Sequence, residues 1–483
     1  MVPSSLPPEA AGLLVVVALA LLPGILVVRA PWTVVPAVSV AFWVLSWWWL
    51  PLAGRSRVLQ ASLALFAVLA ALRILPRHAV PPPPGYTGPV PPPPVAGPTT
   101  GVAPTLRSAA SLAIVGVALA MVVPLPQWPH VPGREMAFHT TSTRLAQWRD
   151  GLPATHEPLL PLVPFGAHSP GLPTVAADVS LLSGLDPGRS MVVASQLSAA
   201  LLLIALFGLL ASRLRPSSAA LAALLGLAVA PWPGFLALWG EGGPVLALAL
   251  GLSAAALLIG HTSRASAVAA GLVLGAAALA QPLLTLAIAV GLAAGSLLAR
   301  PRGLLAMTGR RLAVAFGVGV ALAAPALLRL ARALSPGEAL AVLGSPRPRE
   351  LADFAMGLVL VAVATVLAHL LVGTRPRPGL IAVALVVAST GVLLVAVHLG
   401  PAAGQMRPAD LRALAALLRE GRPTEAVCAP AELVDWVPAL AGRPAGRSSA
   451  QGPGPWVPPV FREEATQAPE RPCKKMDTPA RMP

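Results

Sequence analysis

The stretch that decides the fold runs from residue 265 to residue 299 and reads ASAVAAGLVLGAAALAQPLLTLAIAVGLAAGSLLA, without a charged side chain. A helix needs about 20 mainly apolar residues to cross the hydrocarbon core of a bilayer. Gln281 and Pro282 interrupt the run, because proline lacks a backbone N–H and disfavours a helical residue before it. The stretch therefore predicts two short membrane helices that meet at Gln281.

Apolar runs of comparable quality recur along most of the chain, separated by short loops. They lie at residues 10–28, 31–52, 58–75, 108–126, 191–212, 217–238, 243–260, 310–333, 351–373 and 378–399. The runs are continuous blocks of Ala, Leu, Val and Gly, whereas a membrane β-barrel needs alternating strands. The sequence predicts an all-α polytopic membrane protein with about 12 transmembrane helices, in a range of roughly 10–14.

Composition excludes several classes of protein. Hydrophobic residues make up 56% of the 483 positions and charged residues 11%, less than half of the ~25% typical of soluble domains. So few charges exclude a water-soluble enzyme, a disordered chain and a coiled coil. The formal net charge is +15, but the arginines lie in short loops between apolar runs, as the positive-inside rule requires. The charge therefore indicates topology, and we expect no nucleic-acid partner.

The loop arginines predict an orientation for the helices. If successive helices alternate, one side carries Arg213, Arg215, Arg264, Arg300, Arg302, Arg310, Arg311, Arg375 and Arg377. The arginine bias makes that side cytoplasmic, so segment 127–190 and the tail after residue 400 are extracytoplasmic. The same alternation places Arg55 and Arg57 outside, against the charge rule.

The chain divides into four predicted parts. Residues 1–79 form an N-terminal three-helix membrane addition, 80–107 a proline-rich linker, 108–399 the membrane body with its outside loop at 127–190, and 400–483 an extracytoplasmic tail. The linker composition favours extended polyproline II, and the linker is either a spacer or a ligand for a proline-binding partner. The tail opens with an amphipathic helix, ADLRALAALLREGRP.

The two cysteines of the chain, Cys428 and Cys473, both lie in the tail. An oxidising compartment permits a disulfide there, and two cysteines allow one intramolecular connectivity. The alternatives are a bridge between Cys428 and Cys473 or two free thiols.

The sequence lacks the common motifs of nucleotide, metal and ion-transport chemistry. It contains no Walker loop, HExxH or CxxC, and the glycine-rich GEGGP at 240–244 joins two membrane helices. His369 and His398, within and at the end of predicted spans, have no acidic partner on their helices. Because a carrier needs polar groups along its path through the membrane, these features argue against an ion-coupled transporter.

Polar residues concentrate in the outside loop. If residues 134–149 form a helix, Glu135 and His139 lie four apart on one face, where a carboxylate and an imidazole can share a proton or flank a substrate. Further along come His156, Glu157, His168 and Asp178. One alternative is metal binding by Glu135, His139, His156 and His168, although their spacing matches no standard zinc site. Another is a solvated amphipathic helix lying on the membrane surface.

Segments of the loop and tail carry a family resemblance. The loop has an acid followed by xxxH, a helix ending in DGLP, and HSPGLPTVAADVSLLSGLDP at 168–187. The tail has RPADLRALAALLREGRPTEAVCAP and then DWVPALAGRPAG. In content and order, over roughly residues 108–446, these segments resemble GT-C-type membrane glycosyltransferases. These are dolichyl- or polyprenyl-phosphate-sugar-dependent enzymes related to protein mannosyltransferases.

The resemblance implies roles for particular residues. In the family, an acid in the first loop serves as the catalytic base or binds substrate. Glu135, with His139, stands at the matching position, although the family residue is usually Asp, and His168 stands where an aromatic residue usually precedes PG. Sugar transfer also needs cations near the departing lipid phosphate. The candidates are Arg134, Arg144, Arg347 and Arg349, with interfacial snorkelling as the alternative for each.

These features predict an integral membrane glycosyltransferase of a bacterial inner membrane, with its active face extracytoplasmic. It would move a hexosyl or pentosyl group from a polyprenyl-phosphate donor to an acceptor. The expected partners are the lipid-linked donor, membrane lipid and a glycan, lipid or protein acceptor. No cofactor is firmly implied, and a requirement for a divalent cation stays open. The alternatives are a non-catalytic membrane assembly subunit with the same fold, or a transporter or flippase.

Overall fold

The computed structural model describes most of the membrane body, both helices of the outside loop and parts of the tail. The described residues are 8–27, 31–52, 57–74, 108–122, 134–153, 155–156, 159, 170–212, 214–229, 242–260, 263–298, 302–333, 408–419, 426–429, 436–442, 445–446 and 473–475.

Helices make up almost all of the described membrane body and loop. They are α1 Pro8–Val27, α2 Val35–Leu52, α3 Val58–Ile74, α4 Ala109–Val122, α5 Arg134–Arg149, α6 Gly171–Ser183, α7 Pro187–Ala211, α8 Pro216–Val229, α9 Gly242–Gly260, α10 Arg264–Ala280, α11 Pro282–Leu298 and α12 Arg302–Ala333. Within the ranges that the structure describes, the stretches long and apolar enough to cross a membrane are α7, α9 and Gly309–Arg329 of α12. A helix accompanies each predicted span up to residue 333. The spans at 351–373 and 378–399 lie outside the described residues, so the helix count stays a prediction.

The break at Gln281 separates α10 from α11. α10 ends at Ala280, Gln281 has an extended backbone with φ −162° and ψ 101°, and α11 begins at Pro282. Proline is well tolerated at the first position of a helix, where its missing N–H would have no intrahelical partner. Helical hydrogen bonding resumes at once, because the N–H of Thr285 donates to the Gln281 carbonyl at 3.1 Å. The predicted pair of short helices is confirmed.

Close contacts show which helix ends lie together at the same end of the bundle. A Cβ at Gly171, where α6 begins, would lie 2.9 Å from Cα of Ala280, where α10 ends. A Cβ at Gly242, where α9 begins, would lie 2.7 Å from the Leu172 side chain and 3.0 Å from Ser195 Oγ. We call this the loop end, because α6 lies there. The connection from α9 to α10 is therefore at the opposite end of the bundle.

Small residues bring α10 and α12 close together. A Cβ at Gly271 would lie 2.6 Å from the Ala315 carbonyl oxygen and 2.7 Å from Val318 Cβ, and one at Gly275 would lie 3.1 Å from the Gly319 carbonyl oxygen. In apolar surroundings such close packing drives helix association. Because the contacts advance in the same direction along both helices, α10 and α12 are parallel. α12 therefore ends at the loop end.

α2 packs inside the bundle against α1, α6, α10 and α12. Ser39 Oγ accepts a hydrogen bond from the N–H of Gly24 at 2.7 Å, and Trp43 Nε1–H donates to the Leu19 carbonyl at 3.1 Å. These contacts fasten α2 to α1. The linker at 80–107 lies outside the described residues, and the division of the chain into an addition and a body stays a prediction.

The start of α3 lies at the loop end, beside the end of α5. The N–H of Val58 donates to the Asp150 carbonyl at 3.0 Å, and the N–H of Leu59 donates to Asp150 Oδ1 at 3.2 Å. Asp150 holds a left-handed backbone with φ 43°. Arg57 immediately precedes Val58, so it lies at the loop end. The face of the membrane on which this end lies stays a prediction.

The tail combines the predicted helix with a small sheet. α13, Pro408–Arg419, buries Leu414 and Leu417. Three short parallel strands, β1 Ala426–Cys428, β2 Ala445–Gly446 and β3 Cys473–Lys475, pair in the order β2-β1-β3. The all-α class therefore describes the membrane body, and the tail adds strands that hydropathy did not predict.

Cys428 is disulfide-bonded, so the alternative of free thiols does not apply to it. The only other cysteine of the chain, Cys473, opens the strand that pairs with the strand of Cys428.

Candidate functional site

α5 matches the helix predicted at 134–149 and runs from Arg134 to Arg149. Every side chain from Met136 to Ala146 is buried. The helix therefore presents no solvated polar face over this stretch, and the alternative of a surface helix is wrong for it. The reason is tertiary: α6, α7 and the tail all pack against α5.

The polar row at 139–144, HTTSTR, is buried, and most of its hydroxyl groups are bonded inside the helix. The hydroxyls of Thr141, Ser142 and Thr143 donate to the carbonyls four residues earlier, at 2.9, 3.1 and 2.9 Å. A hydroxyl bonded in this way enters a protein interior without the cost of an unpaired donor. Thr140 Oγ1 lacks a hydrogen-bond partner in the part of the chain that the structure describes.

His156 folds back onto α5. Its Nε2 lies 2.8 Å from Ser142 Oγ, and its ring centroid lies 4.7 Å from that of Phe138. A hydroxyl both donates and accepts, so Ser142 can bond to the Phe138 carbonyl and to the His156 ring at once. His156 therefore holds the chain after α5 against that helix.

Arg144 joins α5 to the tail. Its Nε–H donates to the Ala439 carbonyl at 2.8 Å, and an Nη2–H donates to the Leu440 carbonyl at 2.9 Å. Both carbonyls belong to a π-helical turn, Val437–Ala441. Burial lowers the pKa of Arg144 to about 10, with Asp186 opposing part of the effect, so the guanidinium stays charged at neutral pH. These bonds join the loop helix α5 directly to the tail.

Trp148 and Gly442 complete this contact. The guanidinium carbon of Arg144 lies 5.9 Å from the centroid of the Trp148 ring. Gly442 has φ 65°, and a Cβ there would lie 3.0 Å from the Trp148 ring and 3.3 Å from Cδ of Arg144. Glycine suits both the left-handed backbone and the lack of space. The turn that receives Arg144 therefore depends on glycine at 442.

Asp178 is a carboxyl that α6 carries into the protein interior. α6 belongs to the loop and, with 13 residues, is too short to cross a bilayer. The Asp178 side chain is 0% exposed. Its Oδ1 accepts a hydrogen bond from Trp47 Nε1–H at 3.0 Å, whereas Oδ2 has no hydrogen-bond partner among the described residues. The acid therefore connects the loop to α2.

The surroundings of Asp178 favour its protonated form. Burial raises the pKa of the Asp178 carboxyl well above its ordinary value, the hydrogen bond from Trp47 opposes this shift, and the charge of Asp150 adds to it. Sequence reasoning named Asp178 only as one acid of the loop. The signal that it missed is the position of this acid inside the apolar run TVAADVSLL.

The structure brings some of the predicted site residues together and leaves others outside the described part. The backbone of Arg134 and Glu135 forms the first turn of α5, and His139 follows one turn later, buried with 2% exposure. The side chains of Arg134 and Glu135 lie outside the described residues, as do His168, Arg347 and Arg349 altogether. The described residues contain no group of three or more His, Cys, Asp or Glu side chains that could hold a metal ion.

Comparison with known proteins finds similarity in overall shape. The chain is similar to the oligosaccharyltransferase AglB of the archaeon Archaeoglobus fulgidus, solved with an inhibitory peptide and a dolichol-phosphate. The identity is 15%, the TM-score is 0.42, and the match covers 69% of this chain and 64% of that one. An Archaeoglobus fulgidus oligosaccharyltransferase solved with Zn and sulfate matches at 13% identity and a TM-score of 0.40, over 70% and 62% of the two chains. The matches thus span less than two thirds of each solved chain. No family model and no curated protein matches this chain.

Proposed function

We propose that the chain is an integral membrane glycosyltransferase that moves a sugar from a polyprenyl-phosphate donor to an acceptor at the loop end. The observation that carries the proposal is the placement of α5. This helix begins with Arg134 and Glu135 and is held between α6, α7 and the tail. A reaction on a membrane lipid needs its acid and its cations on a rigid element at the membrane boundary, and the packing of α5 supports such a role.

Glu135 is the proposed base. It is the second residue of α5, where the unpaired N–H groups and the dipole of a helix stabilise a carboxylate. In the proposed step, the acceptor oxygen bonds to the anomeric carbon and its proton passes to the Glu135 carboxylate. The bond between the anomeric carbon and the phosphate oxygen breaks, and its electron pair leaves with the lipid phosphate.

The remaining predicted site residues take supporting roles in the proposal. Arg134 lies beside Glu135 in the chain, and Arg347 and Arg349 are the other proposed cations for the leaving phosphate. His139 follows Glu135 by one helical turn and could share its proton, and His168 is proposed to contact substrate. Arg144 already donates to two carbonyls of the tail, so we propose that it acts on the site through the tail.

A second candidate is a non-catalytic membrane assembly subunit that keeps this architecture. One observation favours it: the polar row from His139 to Arg144 is packed inside the protein. In that case α5 and the tail would serve as a structural unit at the membrane boundary. The two candidates differ in whether the purified chain turns over any donor.

Glu135→Gln is expected to abolish sugar release while leaving the protein folded, because glutamine keeps the shape of the side chain but cannot take a proton. The loss should be ~100-fold or more, the usual contribution of a general base. The measurement is release of polyprenyl phosphate by the full chain in nanodiscs from polyprenyl-phosphate mannose, glucose and arabinose, with water, added lipid, an oligosaccharide or a peptide as the sugar acceptor. Each donor is tested with Mg²⁺ or Mn²⁺ and with EDTA.

Asp410→Asn, on the tail helix α13, is the matched control, and we expect it to keep full activity. Both variants should melt within a few degrees of the unchanged protein, because neutralising one carboxylate in the first turn of a helix costs only about 0.3–1 kcal/mol. Full activity of Glu135→Gln would contradict the role of Glu135. If the unchanged protein releases no polyprenyl phosphate from any of the three donors, the assembly subunit becomes the better assignment.

A further inference from the structure

α12 presents a long apolar face to its surroundings. The stretch Gly309–Arg329 is apolar enough to cross a membrane, yet only 33% of its most apolar 18-residue window is buried inside the protein. Among its outward side chains, Val320 is 64% exposed and Leu328 is 56% exposed. An exposed apolar face of this length suits contact with lipid chains.

Arg329 lies where this apolar face reaches the loop end. Its guanidinium carbon lies 5.6 Å from the centroid of the Trp48 ring on α2, within the ~6 Å of a cation–π contact. The next residue, Trp49, donates its Nε1–H to the Leu322 carbonyl of α12 at 2.9 Å. Two adjacent indoles of α2 therefore hold the end of α12 and position Arg329.

The charge of Arg329 is not compensated within these helices. Neither α2 nor α12 contains an acidic residue, and Arg329 makes no ion pair with any residue that the structure describes. The side chain is exposed, and a guanidinium resting on a ring keeps N–H donors free to bind oxygen atoms. A fixed cation beside an apolar surface is complementary to a phosphate that carries apolar chains.

We propose that Arg329 and Trp48 form a binding site for the phosphate of an anionic bilayer phospholipid in the leaflet at the loop end. The acyl chains of this lipid lie against Leu327, Leu328 and the exposed ring of Trp49. This site goes beyond the proposed glycosyl transfer and does not depend on it.

Two features distinguish this site from a single arginine that extends into water. Arg329 is held on the Trp48 ring, so little side-chain entropy is lost when a phosphate binds. Trp49, 42% exposed, presents its ring where tryptophans favour the membrane–water interface, while its N–H is already bonded to Leu322. The apolar surroundings favour a lipid over free phosphate.

The test measures phospholipid binding to the full chain in detergent by native mass spectrometry, with phosphatidylglycerol as the anionic probe and phosphatidylcholine as the zwitterionic one. Arg329→Gln is expected to weaken phosphatidylglycerol binding about fivefold, the effect of about 1 kcal/mol for one arginine at an anionic surface. Trp48→Phe should weaken it less, because phenylalanine keeps a ring but binds cations less well. Arg412→Gln, an exposed arginine of the tail helix, should leave it unchanged.

Three outcomes would overturn the proposal. The first is equal binding of phosphatidylglycerol by Arg329→Gln and Arg412→Gln. The second is displacement of phosphatidylglycerol by inorganic phosphate at the same concentration, which would show that the site binds free phosphate as well as it binds the lipid. The third is displacement of phosphatidylglycerol from the Arg329 site by polyprenyl phosphate but not by other anionic lipids, which would assign the site to polyprenyl phosphate. No sugar donor is present, so failure of the proposed transferase activity leaves this measurement unaffected.

Discussion

Arg144→Leu is expected to release the tail from α5 and to lower the thermal stability of the protein. Leucine removes two charge-assisted hydrogen bonds and leaves the carbonyls of Ala439 and Leu440 without their donors. A hydrogen bond to a charged group contributes ~1.5–3 kcal/mol, and a buried polar group left unpaired costs a similar amount. We therefore expect the tail to lose about 3 kcal/mol of docking free energy.

The measurement is limited proteolysis of the full chain in detergent, read as cleavage within residues 408–475, together with a thermal melt. Arg144→Lys should give an intermediate result, because an ammonium lacks the planar fork with which Arg144 reaches two carbonyls at once. Arg412→Leu, at an exposed position of α13, is the control and should be cleaved at the rate of the unchanged protein. Equal cleavage of the Arg144→Leu and Arg412→Leu variants would show that other contacts hold the tail.

Asp178→Asn is expected to stabilise the protein at neutral pH and to have little effect near pH 4. The folded protein raises the pKa of Asp178 because the carboxyl is buried, whereas the unfolded chain has the ordinary value of about 3.9. Between these two values the folded state binds more protons than the unfolded state, so stability falls as pH rises. Asparagine removes this loss and keeps an acceptor for Trp47. Each unit by which the folded protein raises this pKa lowers the free energy of unfolding at neutral pH by about 1.4 kcal/mol.

The measurement compares melting temperatures of Asp178→Asn and the unchanged protein at pH 4.5 and pH 7.5 in one detergent. The difference should favour the variant and should grow with pH. Asp178→Leu removes the acceptor for the Trp47 N–H and is expected to lower the melting temperature at both pH values. If Asp178→Asn lowers the melting temperature at pH 7.5, the buried carboxyl is stabilised in its charged form and the interpretation fails.

The bounds of the helices could be predicted because they depend on local properties. The break at Gln281 follows from the proline beside it. α7 begins at Pro187, four residues before the predicted span at 191–212, because Asp186 accepts hydrogen bonds from the N–H groups of Gly188 and Arg189. The loop helix at 134–149 was also predicted, with Glu135 and His139 four residues apart on one face of it. The role of Glu135 stays a prediction, since its side chain lies outside the described residues.

The contacts of the candidate site could not be predicted in the same way. Asp178 bonds to Trp47, 131 residues away, and Arg144 bonds to a carbonyl 295 residues away. Hydropathy and spacing along one helix contain no information about such partners. The sequence therefore predicted that Arg144 binds phosphate, whereas the structure shows two of its N–H groups bonded to carbonyls of the tail.

The sequence by itself determined the membrane class, the approximate position of each described apolar helix and the break at Gln281, whereas the side of the membrane on which the loop and the tail lie stays a prediction. The determined features follow from hydrophobic length and proline, which act over one or two helices at a time. Only the tertiary structure decided that α5 is buried, that Asp178 accepts a hydrogen bond from Trp47 and that Arg329 makes a cation–π contact with Trp48. Burial depends on which helices meet in space, and that is a property of the whole packed bundle.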